Sequence, residues 1–237
     1  MAFNAEQTKR TRAVIVILLL VAVIALAVVV LSGALTPAGS QGRQASQQSE
    51  QMDGNASSSS QAASDDAHTM DDVDATYGTS AKQLKAKYEA NPADPSTLLN
   101  LANGYFDWGT AAMSHAQGDE DQQHAIDLFK QAISYYDTYI ERNPGSKSAE
   151  VDRAICVFYS GDHTAAIAAL EDFVAADSSF GPAWANLGMF YENEGRIDDA
   201  KDAYNKAIEA DPEDTYQVKT YAQQRLANLE STQSDAS

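Results

Sequence analysis

The stretch that decides the fold runs from Ala183 to Pro212 and reads AWANLGMFYENEGRIDDAKDAYNKAIEADP. Its apolar residues recur at helical spacing in two segments, which are separated by Gly195. A glycine after the first segment and a proline after the second are typical signals that end a helix. The stretch therefore predicts two short helices that fold back on each other.

Nine positions of this stretch carry residues that suit a closely packed helix pair and the turns that end its helices. Gly188 has no side chain where the helices cross, whereas Tyr204 fills the space between them. The full set is Trp184, Leu187, Gly188, Tyr191, Gly195, Ala200, Tyr204, Ala207 and Pro212. At these spacings, the set resembles the signature of the tetratricopeptide repeat (TPR). The resemblance implies an all-α fold, a TPR-like α-solenoid of antiparallel helix pairs.

A shift of 34 residues finds weaker copies of the pattern upstream. Gly161 and Ala166 fall at the positions of Gly195 and Ala200, which indicates a degenerate repeat. The repeat before it is eighteen residues longer than the standard spacing, and we expect residues 110–131 to form two lengthened helices that project as a hairpin. The predicted TPR domain spans 80–230: a half repeat (80–92), a repeat with the insertion (95–144), two repeats (147–180 and 181–214) and a capping helix (215–230). Residues 231–237 are expected to be a disordered tail.

An apolar segment near the N-terminus predicts a membrane anchor. Every residue from Ala13 to Leu31 is Ala, Val, Ile or Leu, and such a helix matches the hydrocarbon thickness of a bilayer. Lys9, Arg10 and Arg12 precede the segment, so the positive-inside rule places residues 1–12 in the cytoplasm and the repeats outside it. We therefore expect a single-pass signal-anchor helix at 13–35 in the cell membrane. Cleavage of this segment as a signal peptide stays an alternative.

Residues 36–79 are rich in Ser, Gln, Ala and Asp and contain few large apolar residues. Such a segment buries too little surface to offset the entropy of ordering. The composition predicts a disordered acidic linker between the anchor and the repeats.

The charge of the chain excludes one class of partner. The net charge is −18, and residues 81–237 hold twelve basic and twenty-six acidic side chains. A surface this acidic repels nucleic acid, which relies on Lys and Arg contacts. We expect no nucleic-acid binding.

No motif for catalysis is evident in the sequence. It contains no Gly-rich phosphate loop, nucleophile elbow or His-Glu-x-x-His pair. Cys156 lies among apolar residues, where a buried and unreactive thiol is expected. His115 and His124 flank the predicted hairpin bend beside several acids, so a metal site is conceivable there, although solvated side chains explain them as well. We expect no enzyme activity, no cofactor and no bound metal.

The TPR resemblance implies a binding site on the concave face, which the first helices of successive repeats line. Its acids and the lack of basic groove residues favour a protein or peptide ligand with apolar anchors and basic flanks. The groove positions carried over from the family are Leu99, Asn103, Phe106, Asp107, Val151, Asp152, Ile155, Phe158, Tyr159, Ala185, Asn186, Met189, Glu192 and Asn193.

These features predict a membrane-anchored scaffold or adaptor on the extracytoplasmic side, with a possible role in the assembly or maturation of envelope proteins. Two alternatives stay open. The chain could be a self-associating structural component, with a homo-oligomer as its working form. It could also be a TPR subunit of the kind that presents apocytochrome during cytochrome c maturation. The sequence does not identify the partner.

Overall fold

A computed structural model describes residues 69–235, and every regular element among them is helical. One turn of π-helix, Asp74–Gly78, links the first two α-helices. The α-helices are α1 (Met70–Val73), α2 (Thr79–Ala90), α3 (Pro95–His115), α4 (Asp119–Arg142), α5 (Lys147–Tyr159), α6 (His163–Ala176), α7 (Gly181–Asn193), α8 (Ile197–Ala210) and α9 (Val218–Asp235).

Local sequence sets the ends of these helices. Asp94 caps α3 by accepting a hydrogen bond from the Ser96 amide (3.0 Å), and Pro95 occupies the first turn, where no amide donor is needed. Gly161 and Gly195 follow α5 and α7 with φ of 99° and 72°. Only glycine adopts this left-handed conformation without strain, so both positions end a helix as the sequence predicted.

The helices form a stack of antiparallel pairs around a continuous core. The first helices of the pairs, α3, α5 and α7, contact each other in succession, and α9 continues their row after α7. The second helices, α4, α6 and α8, each pack against the first helix of their own pair. The largest fully buried side chains include Tyr136, Phe129, Tyr204 and Phe190. These bulky residues fill the space within and between the helix pairs.

The crossing of α7 and α8 shows why the sequence signature takes its form. A Cβ atom at Gly188 would lie 2.7 Å from Cε1 of Tyr204, closer than side-chain carbons approach. Ala200, Tyr204 and Ala207 are fully buried on the facing side of α8. The glycine and the tyrosine are therefore a matched pair that sets the distance between the two helices.

The insertion in the first repeat is built as two lengthened helices, α3 of 21 residues and α4 of 24. They turn at residues 116–118, next to the polar bend that the sequence predicted. The expectation of a hairpin that simply projects from the stack is incomplete, because residues 69–78 lie against its extended part. Val73 is buried there, only 4% exposed.

Two predicted boundaries need correction. The linker was expected to reach residue 79, but the chain is helical from Met70. Helix formation starts there because Thr69 and Asp72 form a capping box and Val73 finds an apolar partner surface. Residues 231–235 of the expected tail belong to α9, which continues to Asp235. In its last turns, the hydroxyls of Ser231 and Thr232 both donate to the Asn228 carbonyl.

The predicted cytoplasmic tail, the anchor helix at 13–35 and residues 36–68 of the linker lie outside the described residues. Between residues 69 and 235, no helix is both long and apolar enough to cross a membrane.

Candidate functional site

The predicted groove positions lie on three neighbouring helices, α3, α5 and α7. The 34-residue spacing of the repeats assigned these positions to one face, but it did not indicate how deeply each side chain is buried. Eight of the fourteen are buried: Asn103, Phe106, Val151, Ile155, Phe158, Ala185, Asn186 and Met189. These eight side chains hold the helices together and offer little surface to a ligand.

The two phenylalanines among them illustrate this packing. Phe106 meets Phe129 of α4 edge to face, with ring centroids 6.2 Å apart. Phe158 stacks between Phe190 and His163, with both centroid distances at 4.2 Å. Because Phe190 and His163 both stack on the Phe158 ring, this side chain joins two repeats, and its role as a ligand contact stays a prediction.

The two buried asparagines are also satisfied within the protein. The Tyr136 hydroxyl donates to Oδ1 of Asn103 at 2.6 Å, which joins α4 to α3. Nδ2 of Asn186 donates to the carbonyl of Pro182 one turn earlier at 2.7 Å. Buried amides keep such partners because leaving them unpaired costs free energy.

Glu192 already binds a cation from the same chain. Its carboxylate accepts from Nε of Arg225 in α9 at 3.1 Å and forms an ion pair with the same guanidinium. The Tyr204 hydroxyl also donates to Oε2 of Glu192, at 2.8 Å. Burial raises the pKa of Tyr204 well above its usual value, so this hydroxyl stays protonated as the donor. The C-terminal helix thus occupies the groove position of the last repeat.

The remaining predicted positions are half-buried or exposed: Leu99, Asp107, Asp152, Tyr159, Glu192 and Asn193. Tyr159 stacks on Phe129 with centroids 5.4 Å apart, so its ring supports the extended hairpin. Apart from this ring and Glu192, the groove side chains that keep some exposed surface are those of Leu99, Asp107, Asp152 and Asn193.

Asp107 of α3 and Asp152 of α5 both act electrostatically on one buried residue. Cys156 is fully buried, as its apolar neighbours predicted. Burial raises the pKa of the Cys156 thiol well above its usual value, and the negative charges of Asp152 and Asp107 raise it further, whereas the positive charge of Arg153 lowers it. Two adjacent repeats therefore each contribute a half-buried acid to this part of the face.

The three histidines between residues 69 and 235 have partners within the protein. Nδ1 of His163 lies 2.6 Å from Oε1 of Glu194. His124 pairs with Asp74 at 2.9 Å, and Nδ1 of His115 lies 2.8 Å from the Ala111 carbonyl. The described residues contain no group of three or more His, Cys, Asp or Glu side chains that could hold a metal ion.

Comparison with known proteins identifies the repeats. A family model described as tetratricopeptide repeat matches residues 181–214, which contain α7 and α8. A second model with the same description matches residues 127–179, from the middle of α4 through α6. The chain is a tetratricopeptide repeat protein. Proteins built from these repeats are mostly scaffolds without enzyme activity, and their repeats generally bind protein or peptide partners.

Relatives match this TPR protein over its repeats. It is 32% identical over 105 residues to the small glutamine-rich tetratricopeptide repeat-containing protein 2 of Mycosarcoma maydis, a match that covers 44% of this chain and 30% of the relative. It is 26% identical over 84 residues to a probable peptide N-acetylglucosaminyltransferase, SPINDLY, of Petunia hybrida, which covers 35% of this chain and 9% of that protein. The chain thus spans less than a third of the length of these curated relatives.

Among solved structures, the TPR protein is similar to a crystal structure of MamA. The two are 20% identical with a TM-score of 0.44, over 69% of this chain and 96% of that one.

Proposed function

We propose that this TPR protein is a membrane-anchored scaffold that binds a segment of another protein on the face formed by α3, α5 and α7. The ligand we infer carries an aliphatic or aromatic anchor and at least one basic side chain. The observation that carries this proposal is that Asp107 and Asp152, half-buried on neighbouring helices of this face, give it negative charge. Negative charge on a binding face favours a ligand with a cationic group.

The chain supplies its own example of such recognition. Glu192 on the same row of helices holds the guanidinium of Arg225, which is only 8% exposed. A carboxylate–guanidinium pair shielded in this way is stronger and more directional than one in open solvent. A ligand arginine placed one repeat earlier would be attracted by the negative charges of Asp152 and Asp107.

The accessible part of this surface is small, which limits the ligand to a short segment. Leu99 provides an aliphatic contact on α3, and Asn193 lies at the exposed end of α7. None of the fourteen predicted groove positions is a lysine or arginine. This composition does not suit ligands that are held by a terminal carboxylate.

A set of charge variants tests the binding surface. We would select peptides from a random displayed library on the full-length protein in detergent micelles, and then measure their affinity by fluorescence anisotropy. The selected peptides should be enriched in Arg or Lys next to Leu, Phe, Tyr or Trp. The double variant Asp107→Asn/Asp152→Asn should weaken their binding about tenfold or more, and added salt should also weaken it.

The matched control is Asp172→Asn/Asp202→Asn, which removes the same charge from exposed positions on the second helices α6 and α8. It should leave the affinity nearly unchanged. Equal loss in both double variants would show that net charge alone attracts the peptides. Selected peptides without basic residues, whose binding is insensitive to salt, would contradict the proposed ligand chemistry.

We further propose that residues 13–35 anchor the protein in the cell membrane, with the N-terminus in the cytoplasm and the repeats on the extracytoplasmic side. The unbroken apolar run from Ala13 to Leu31 and the three basic residues before it support this arrangement. The chain should stay with membranes after alkaline carbonate extraction. A reporter fused after Ser237 that is active only in the cytoplasm would contradict the orientation if it gave a signal.

A further inference from the structure

Residues 69–78, named the N-terminal strap here, lie across the extended part of α3 and α4. The strap consists of Thr69, the short helix α1 and the π-helical turn. The strap contacts residues that are far away in the sequence, so these are tertiary contacts and not contacts within one continuous helix. The strap meets the hairpin at a carboxylate, an apolar side chain and a glycine.

The carboxylate of Asp74 joins the strap to both helices of the hairpin. Its Oδ1 atom accepts a hydrogen bond from Nε1 of Trp108 in α3 at 2.7 Å. The same oxygen lies 2.9 Å from Nε2 of His124 in α4. The Trp108 and His124 rings meet edge to face, with centroids 5.8 Å apart. One strap side chain thus links positions 34 and 50 residues away.

The apolar contact of the strap is confined to a small cluster. Val73 packs with Ala111, Ala112, Ala125 and Leu128, and these five form a buried cluster separate from the main core. All four hairpin residues of this cluster belong to the insertion at 110–131. In a solenoid, the apolar face of one repeat is normally covered by the next repeat. Here the strap covers the apolar face of the insertion.

The glycine contact fixes the path of the strap. A Cβ atom at Gly78 would lie 2.9 Å from two atoms of the Trp108 ring, so the backbone lies directly on the indole. The five-residue π-helical turn that ends at Gly78 places Asp74 over the hairpin, and such turns are frequent at functional positions. The outer side of the strap, including Asp71, Thr76 and Tyr77, is exposed. The strap therefore depends on few contacts compared with its length.

We infer that the inserted hairpin is the docking site of the N-terminal strap and that the Asp74 carboxylate controls whether the strap is docked. A segment held by few buried contacts opens at a lower free energy than the repeat core, and it opens as one unit. Opening would add ten residues, about 33 Å when extended, between the repeats and the preceding chain. This consequence rests on the proposed anchoring, because opening lengthens the distance between membrane and repeats only if the chain is anchored.

Hydrogen exchange measured by mass spectrometry on the full-length protein in detergent micelles tests the docking. Asp74→Ala removes the acceptor of Trp108 and the partner of His124, so amides in 70–78 should exchange at least tenfold faster than in the wild type. Amides in 181–214 should be unchanged. Asp74→Asn keeps an oxygen acceptor for the indole but loses the charge beside His124, and it should give an intermediate rate.

The matched control is Asp71→Ala, one exposed acid in the same short helix. It should leave exchange in 70–78 within about twofold of the wild type. The Trp184→Phe background leaves Trp108 as the only tryptophan, and its emission should shift to longer wavelength in Asp74→Ala because the ring gains access to water.

Two results would overturn the inference. One is exchange in 70–78 that is the same in Asp74→Ala as in the wild type. The other is faster exchange in Asp74→Ala through 181–214 as well as 70–78, which would make Asp74 a general stability determinant. Neither readout requires an anchor, so a protein that fails carbonate extraction but shows the exchange pattern would refute the anchoring and leave the strap inference standing.

Discussion

Replacing Gly188 by alanine tests the packing that defines the repeat. The new methyl carbon would lie 2.7 and 2.8 Å from two ring carbons of Tyr204. Tyr204 cannot move aside easily, because it is fully buried, donates to Glu192 at 2.8 Å and packs edge to face with Tyr221 at 6.0 Å. Overpacking of this kind costs about 1–3 kcal/mol, and the fixed position of Tyr204 places Gly188→Ala in the upper part of that range, at about 2–3 kcal/mol. Gly→Ala in a helix interior gains about 1 kcal/mol. We expect a net loss of about 1–2 kcal/mol.

The assay is thermal and urea unfolding followed by far-ultraviolet circular dichroism, where Tm should fall by about 3–6 °C for a domain of this size. Two glycines provide matched controls. Gly118 has extended backbone and no atom within 4 Å of a built Cβ, so Gly118→Ala should stay within about 0.5 kcal/mol of the wild type. Gly104 meets only the flexible end of Leu84 at 2.8 Å, so Gly104→Ala should be neutral or stabilising. A Gly188→Ala protein as stable as the wild type would refute the packing argument.

Three further predictions concern the C-terminal helix and one surface ion pair. Arg225→Ala should lower the free energy of unfolding by about 2–3 kcal/mol in chemical denaturation, because Glu192 loses its shielded partner. The double variant Arg225→Met/Glu192→Gln should recover most of that loss, and equal stability of the two variants would contradict this. Tyr221→Phe should change stability by no more than about 1 kcal/mol, since the buried Tyr221 hydroxyl makes no hydrogen bond of ordinary geometry among the described residues and has the Tyr204 hydroxyl near it. A larger loss of stability in urea unfolding would contradict this. Lys147 and Ser179 lower the pKa of Asp177 to about 2, so the stability they confer is complete above about pH 4 and is lost as the pH falls towards 2. In an NMR titration, Lys147→Met should raise the pKa of Asp177. An unchanged pKa would exclude the ion pair as the cause of the shift.

The helix pair at 183–212 was predictable because its determinants are local. Gly195 and Pro212 end helices whatever surrounds them, and the spacing of Gly188 and Tyr204 encodes the crossing of α7 and α8. The insertion was also predictable, since its length follows from comparing the spacing in the first repeat with the standard spacing of the other repeats. The burial of Cys156 followed from its apolar neighbours.

The strap and the depth of the groove were not predictable in the same way. Asp74 occurs in an acidic, Ser-rich stretch, and its partners are 34 and 50 residues away, so no local pattern marks it. Arg225 reaches Glu192 across 33 residues and occupies a predicted ligand position. Family positions specify which face a residue is on, but Phe129 and α9 determine which of those residues remain accessible.

A partner protein is proposed to bind on the face of α3, α5 and α7. Photo-crosslinking in intact cells tests this binding site, with a photoreactive phenylalanine analogue placed at Leu99, at Asn193 or at Asp172 on α6. The two groove positions should give adducts with the same partner protein, identified by mass spectrometry, and Asp172 should not. Adducts of that partner from Asp172 alone, or only adducts between two copies of this chain at the groove positions, would contradict the claim.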